Sequence, residues 1–591
     1  MSNIYAYVEE QKSAFKNGIP LEEGWWWSFK EHIRLSFLYK NSQFDRNNED
    51  RDKRPFKNII RPVLNVQYRT EGFDVKDIEI YVDNQETYYK SFLVKKLHDK
   101  WALTNEMDTF IDELVESFVD YGGVLVKNVK GIRPEVVDLR TIAFCDQSDF
   151  LSGPFGIEHY FSPSQLRAMS SSGWGNSEKG ATITIEDLIL KSESHKDDSQ
   201  KTPGRYVKIY EIHNVSEMDF HPTSKDSDQM IYIVGLYKDE KGQEQGVCLF
   251  KNKEPKLPFK FLKRDPIQGR ALGFGGVEEL FEPQVWTNFA EIHTAAMLEH
   301  ASITAYKTTD PRFKGQKLSQ SDNGKIFELQ PNTDFNQIDN SPRDITAFTN
   351  FVVEMHEHAM ELGAASDLFL GQQPTAGTPF KSVETQLIEG KSLHLWRQGR
   401  IAVFVDEIYR DWVIPHLAKE VTKGSKFLAE LSADEMIYVG EALATNGANQ
   451  AIKDKMLKKG EIVSPEEQII IKDLKRQNFT KGGTKKFLEI LKDEMSGEKL
   501  DVRTNIVGKQ KNQALFTDKL VNLVRQFIAT PEIRQDPEMI KMINSILESS
   551  GLSPIVFSPR LAAAQPEGSG GTEGLKALGA NAKQNESVAR R

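Results

Sequence analysis

The chain has 591 residues, 39% hydrophobic and 27% charged, with mean hydropathy −0.49, net charge −10 and pI near 5.8. That length allows several domains and more than one core. The acid excess argues against tight non-specific wrapping of nucleic acid, which needs clustered Lys and Arg, but not against a wall that a polyanion slides past. Two cysteines, Cys145 and Cys248, permit one disulfide but suit a reducing cytoplasm better than a secreted scaffold. The start lacks a basic-then-apolar signal pattern, and the longest apolar runs fall far short of the roughly 20 residues that span a bilayer. The expectation is a protein of, or assembled in, the cytoplasm, with no membrane partner.

The first hundred residues read as helical, with Phe29, Ile33 and Phe37 recurring every four after the run Trp25–Trp27. Three adjacent tryptophans cannot all face one core. The run either anchors the first helix or sends one ring to another segment or subunit. Residues 58–68 and 86–101 read as helices, and a third from Asn105 carries the stripe Phe110, Ile111, Leu114, Phe118. Gly122 and Gly123 end it. Strand patterns follow at 124–129, 135–144, 206–213, 230–237 and 246–250. A short capped helix begins at Ser162 and Pro163, and the polar stretch 192–203 reads as a mobile loop.

Long helices come next. Residues 276–306 are periodic, with Phe281, Val285, Phe289, Ile292 and Ala296 on one side. Pro283 either starts the main helix in its first turn or kinks it. Small residues in its second half (Thr294, Ala295, Ala296, Ala301, Ser302) allow close helix approach. Residues 307–342 form a compact segment with a strand at 324–329, and helix returns at 343–362. The stretch 363–379 cannot continue that helix, because Pro374 and Pro379 lack an amide donor and Gly371 and Gly377 resist helical order. It is longer than ordinary helix connections, and its tip, 372–378, is polar but uncharged. A further helix, 380–417, has Phe404, Ile408 and Trp412 on its later apolar face, with Gly390 and Gly399 inviting a bend. Charged helical patterning follows Lys423, then a strand at 499–507 and helices at 509–528 and 536–550. The tail from 562 has a disordered composition.

Catalytic patterns are missing. Glu389, Gly390, Lys391 and Ser392 echo a phosphate loop, but Thr385 stands where its first glycine belongs and the segment is helical. In the glycine-rich 269–276 region, Glu278 replaces the third glycine of a dinucleotide fingerprint, so a connection is the better reading. His356 and His358 flank Glu357, yet residues two apart on a helix point about 200° away from each other and cannot share an ion. There is no Gly-x-Ser-x-Gly elbow. We expect no catalytic residues, no metal and no cofactor.

The order of these parts resembles that of the portal proteins of tailed bacteriophages, the head–tail connectors. Segments 55–68 (PFKNIIRPVLNVQY), 273–288 (GFGGVEELFEPQVWTN) and 324–329 (GKIFEL) look like portal sequence. They most resemble portals of podovirus-like phages of Bacteroidetes hosts, and the likeness runs over most of 55–528. It implies an α+β, mainly helical fold: a portal-type ring subunit with β-rich wing, helical stem, small α/β clip and helical crown. The parts would be N-terminal helices and wing at 1–262, first stem helix 263–306, clip 307–342, second stem helix 343–362, tunnel loop 363–379, long kinked helix and remaining wing 380–507, crown 508–560 and disordered tail 561–591. The segment 421–498 is longer and more charged than a minimal portal needs.

The resemblance further implies a virion protein at one capsid vertex, a dodecamer through which double-stranded DNA is packaged, retained and ejected. Its partners would be other copies of itself, the major capsid protein, the terminase large subunit, which hydrolyses the ATP, and a head–tail adaptor. Helices about 10 Å across, twelve in a ring, leave a hole of roughly 28 Å, wide enough for a duplex about 20 Å across. Tunnel-loop residues Gln372, Gln373, Pro374, Thr375 and Thr378, with Lys381 beside them, would touch the phosphate backbone without reading sequence. Arg312, Lys314, Lys317 and Lys325 of the clip, offset by Asp310, Asp322, Glu328 and Asp334, would form a docking surface; a merely solvated face fits them equally. Two other readings stand beside this one: a tail or minor capsid component that never encircles DNA, and a nucleotide-dependent motor built on residues 389–392.

Overall fold

The computed structural model describes residues 2–44, 54–82, 88–129, 133–194, 206–220, 227–238, 243–302, 305–313, 328–338, 345–365, 392–423, 433–459, 464–481 and 500–504. The chain divides into two units, one of 1–423 with 492–510, the other of 424–491 with 511–591.

The first unit begins with α1 (Ser2–Asn17), an antiparallel hairpin of β1 (Ile19–Glu22) and β2 (Trp25–Trp27), and α2 (Phe29–Lys40). The tryptophan run is therefore a strand and not part of a helical stretch. Trp27 is buried and packs its ring 6.2 Å from that of Phe29, while Trp25 and Trp26 are exposed. Helices α3 (Ile60–Glu71), α4 (Tyr88–Thr104) and α5 (Met107–Tyr121) follow the expected pattern, and all four residues of the α5 stripe are buried. Between α3 and α4 lies an unexpected strand, β3 (Ile78–Val82).

Strand β4 (Gly123–Lys127) opens the β-rich part. The single strand expected over 135–144 is broken into β5 (Glu135–Val137) and β6 (Ile142–Phe144). Asp138 causes the break: its carboxylate accepts from the Arg140 N–H at 2.9 Å and caps one 3-10 turn. Then come β7 (Phe155–Phe161), α6 (Pro163–Met169), α7 (Ile185–Ser194), β8 (Val207–Val215), α8 (Glu217–Phe220), β9 (Met230–Lys238), β10 (Glu244–Lys253) and β11 (Phe259–Lys263). The start of the predicted loop 192–203 is the helical end of α7; residues 195–203 lie outside the described residues. The antiparallel order is β10-β9-β8-β7-β6 in one sheet and β11-β4-β5 in another.

Alternation along these strands covers the larger sheet on both faces. Tyr210, Ile212, Val234 and Cys248 face a core with Ile4, Val8 and Phe15 of α1, and Ile209, Ile233, Val247 and Leu249 face Leu166, Leu188 and Ile189 of α6 and α7. Helix α6 starts as expected: Ser162 and Gln165 form a reciprocal capping box, with Pro163 in the first turn. Both cysteines are free; burial pushes the Cys248 thiol up to about 11.

Next come α9 (Gly276–Glu279), α10 (Phe281–Ser302), β12 (Ala305–Thr308), β13 (Phe335–Ile338) and α11 (Ile345–Leu362). The long helix ends at Ser302, short of the expected Tyr306, which lies instead in β12 paired antiparallel with β13. Pro283 sits in the first turn of α10, where its missing donor costs nothing. Of the strand expected at 324–329, residues 324–327 lie outside the described residues and the remaining two are not strand.

The helix expected over 380–417 is seen from α12 (Ser392–Ile408), through a π-helical turn at Tyr409–Val413, into α13 (Ile414–Lys423). Gly399 leaves α12 regular. The irregularity comes just before Pro415, which offers no amide to the carbonyl of Asp411. Strand β14 (Leu500–Thr504), expected from the sequence, pairs antiparallel with β3. Helices α3, α5 and α12 share one core in which Val63, Leu64, Phe110, Phe118, Ile401, Val405 and Ile408 are buried.

The second unit contains α14 (Ala433–Lys459) packed on α15 (Pro465–Lys481), with Leu443, Ala444 and Ala448 buried and Lys455 bound to Glu467 at 3.0 Å. The expected helices at 509–528 and 536–550 and the tail from 562 lie outside the described residues. Among the described residues no helix is long and apolar enough to cross a membrane, and no group of His, Cys, Asp or Glu could hold a metal ion.

A polar knot ties the two larger sheets together. Glu211 accepts from Lys127 Nζ at 2.6 and 2.7 Å and pairs with His159 Nε2 at 3.0 Å, while His213 Nδ1 lies 2.8 Å from Glu254. Burial opposes charging of His213, but the carboxylates of Glu211 and Glu254 outweigh it and leave its pKa raised. A histidine raised on folding contributes stability that is complete below its unfolded value and is lost as pH climbs through the folded one. Urea unfolding should therefore show stability falling above about pH 6.5, and His213→Gln should flatten that fall.

A second polar anchor is Gln284, buried in α10. Its Oε1 accepts from the Ile59 N–H at 2.9 Å, and its Nε2 donates to the Lys57 carbonyl at 2.7 Å and to Asn288 Oδ1 at 2.9 Å. Gln284→Ala strands buried backbone groups and should cost about 1–3 kcal/mol in denaturant unfolding.

Candidate functional site: a helical hairpin and its footing

Helices α10 (22 residues) and α11 (18 residues) pack together as a hairpin with the β12–β13 pair at its far end. At 1.5 Å per residue the arms are roughly 33 and 27 Å long. Their sequences contain Glu282, Glu291, Glu299, Glu354, Glu357 and Glu361 and no Lys or Arg at all. Four histidines lie among them, including His356 and His358.

Helix α10 is patterned the wrong way round for a lone chain. The residues facing the rest of the unit are Gln284, Thr287 and Asn288, whereas Val285, Trp286 (45% exposed) and Phe289 (48% exposed) face solvent. The expected apolar side does exist, but it points outward. Its rings form a ladder: Trp286 edge-on to Phe289 at 5.7 Å, Phe289 to His293 at 4.3 Å, and His293 stacked on Phe348 of α11 at 6.2 Å.

The two feet of the hairpin meet at one amide. Gln67 Nε2, on α3, lies 3.4 Å from Glu279 Oε2 just before α10 and 3.3 Å from the Gly363 carbonyl just after α11. Around it is a buried ion knot. Arg264 binds Glu71 at 3.0 Å and Glu279 at 3.2 Å, and Arg397 binds Glu279 at 2.7 Å, Asp265 at 2.5 Å and Glu71 at 3.4 Å. His394 lies 3.2 Å from Glu71 through Nδ1 and 3.2 Å from the Ala364 carbonyl through Nε2. Both of its ring nitrogens thus face acceptors. Burial works against ionisation of Glu71, but Arg264, His394 and Arg397 hold its carboxyl below the usual range.

The local fold brings these groups together. Gly122 adopts φ +76°, and its carbonyl accepts from the N–H groups of both Arg264 (2.9 Å) and Gly273 (3.0 Å). A side chain there would strike the backbone of Gly273. This close approach places the turn from β11 to α9 so that Arg264, Asp265 and Glu279 converge. The glycine-rich 269–276 stretch is indeed a connection. It carries Arg270, which binds Glu278 at 2.9 Å and lies 4.7 Å over the Trp27 ring.

Of the residues singled out from sequence, Gln372, Gln373, Pro374, Thr375, Thr378 and Lys381 lie outside the described residues, as do Lys314, Lys317 and Lys325. The described residues 363–364 and 394–397 meet at the same knot. Arg312 lies beside β12, where its guanidinium binds the Asp310 carboxylate (Nη2 at 2.7 Å) and donates to the Glu328 carbonyl at 3.0 Å. Asp310 is buried and its carboxyl is held low by Arg312. Sequence reasoning missed the knot, because Glu71, Arg264 and Arg397 are far apart in the chain; the one local signal was the charge of Arg397 within the apolar pattern of α12.

No protein-family model and no curated protein matches the chain. Among solved structures it aligns with a chain in the neck of an empty GTA particle computed with C6 symmetry. That alignment has a TM-score of 0.29 and 10% identity, over 72% of this chain and 94% of that one. It also aligns with a chain in the virion of a native gene transfer agent particle, at TM-score 0.27 and 10% identity, over 70% and 89%. Likenesses this slight carry no argument about fold or function.

Two outcomes test the footing. Arg397→Met leaves buried carboxylates without a partner and should cost about 3–5 kcal/mol in chemical unfolding. Because the Glu71 pKa is depressed on folding, its contribution is present above the ordinary carboxylate range and lost as pH falls below it. Acid unfolding of Glu71→Gln should accordingly begin from a lower stability and show a shallower dependence on pH below about 4.5.

Proposed function

We propose that this chain is the subunit of a portal-type ring, the channel through which double-stranded DNA enters, is held in and leaves a phage capsid. The observation that carries the reading is the α10–α11 hairpin: long, free of Lys and Arg, and with an aromatic ladder turned to solvent. A solvent-facing ladder of this kind calls for a protein neighbour. An all-acid charge pattern gives phosphates nothing to grip, which suits a wall past which DNA keeps moving. The order of parts, which resembles that of portal proteins, supplies the rest.

In this reading α10 and α11 are the stem, the β12–β13 end belongs to the clip that docks the terminase and later the adaptor, and the sheets of β4 to β11 form the wing. The knot at Glu71 holds both ends of the loop whose polar residues, Gln372 to Thr378 in the sequence, brush the DNA backbone. The chain makes and breaks no bond. Its partners are further copies of itself, the capsid, the motor and the adaptor.

Electron microscopy of the purified chain is the direct test: closed rings with a central hole of at least 20 Å, the width of a duplex to within about an ångström or two, are expected. Monomers or open filaments would sink the reading. A second test deletes residues 371–378 in a phage genome. Rings should still assemble, while DNA packaged per particle falls; an unchanged yield would remove the loop from the mechanism.

A further inference from the structure

The first unit has a second outward apolar stripe besides the ladder on α10. On α12, Leu393, Trp396 (53% exposed), Arg400 and Val403 (60% exposed) recur at spacings of three and four, so they share one face. The guanidinium of Arg400 lies 5.4 Å over the Trp396 ring. Among the described residues nothing covers either stripe.

We propose that, within the ring read above, the α10 stripe of one copy seats on the α12 stripe of the next. Charge decides the pairing. The α10 stripe is bordered by Glu282 and Glu299, and the helix has no Lys or Arg. Two α10 faces brought together would set carboxylate against carboxylate. The α12 stripe has Arg400 at its centre, its guanidinium held in place by donation to the Arg264 carbonyl of its own chain, and Lys260 offsets Glu407 one turn beyond Val403, so this face meets the acidic border of α10 with positive charge. A contact between two different faces of the same chain is heterologous: each copy keeps one face free for the next, and the series ends only when it closes. Matching three-and-four ridges let the two helices interdigitate, and Trp286 and Phe289 supply the large apolar anchors that dominate such interfaces.

Cysteine cross-linking of the full chain tests the pairing. Val285→Cys and Val403→Cys are combined in one chain, or made separately and mixed before assembly, then oxidised with a copper–phenanthroline catalyst and run without reductant. The combined variant should give a ladder of covalent multimers, and the mixed single variants dimers only. Each single variant alone, and the parent chain with its own Cys145 and Cys248, should stay monomeric on the gel. Rings seen by microscopy without any such cross-link would overturn the pairing and leave the ring reading standing. Absence of both rings and cross-links would overturn both. A dimer from either single variant alone would replace the heterologous contact with a like-on-like one.

Discussion

Six side chains that are remote in sequence hold the first unit together at one point. Glu71 closes α3, Arg264 and Asp265 follow β11, Glu279 closes α9, and His394 and Arg397 open α12. A buried ion pair is seldom a net source of stability, because desolvation offsets most of the attraction. Its effect is on geometry: each charge is acceptable only where its partners stand, so the elements that carry them have one arrangement. Both feet of the hairpin, and both ends of the segment between α11 and α12, are fixed by this requirement.

That arrangement explains how a helix with polar residues inward can persist. Gln284 satisfies the Ile59 amide and the Lys57 carbonyl at the start of α3, so α10 is held by directed bonds and not by its apolar face. The aromatic residues are thereby free to face away from their own chain. In a single subunit this is a liability. In an assembly it divides the labour, with hydrogen bonds building the subunit and apolar contact joining subunits.

Much of the fold was legible because periodicity is local. The stripe on α5, the paired patterns of β8 and β9, and the capping box at Ser162 each declare themselves within a few residues. What escaped has physical reasons. In β7, Gly156, Glu158 and His159 dilute the apolar signal, and β11 alternates Lys with Phe, so neither reads as a buried strand. The break between β5 and β6 depends on one Asp138 side chain turning back on the backbone. The apolar face of α10 was read correctly from its spacing, but spacing cannot say whether a face looks inward or outward. The knot was invisible because it exists only once α3, the turn after β11 and α12 are packed together; of the site residues foreseen, Arg312 alone is described, and it binds Asp310.

The charge pattern of the hairpin bears on how ions behave near it. A surface with fixed cations attracts a polyanion by releasing condensed counterions, so that salt weakens the bond. Helices α10 and α11 have no cation with which to do this. Near such a wall added salt would only shorten the reach of a repulsion, to about 10 Å at 0.1 M. Ionic strength would then act on this surface as a lubricant acts on a bearing, changing clearance and not adhesion.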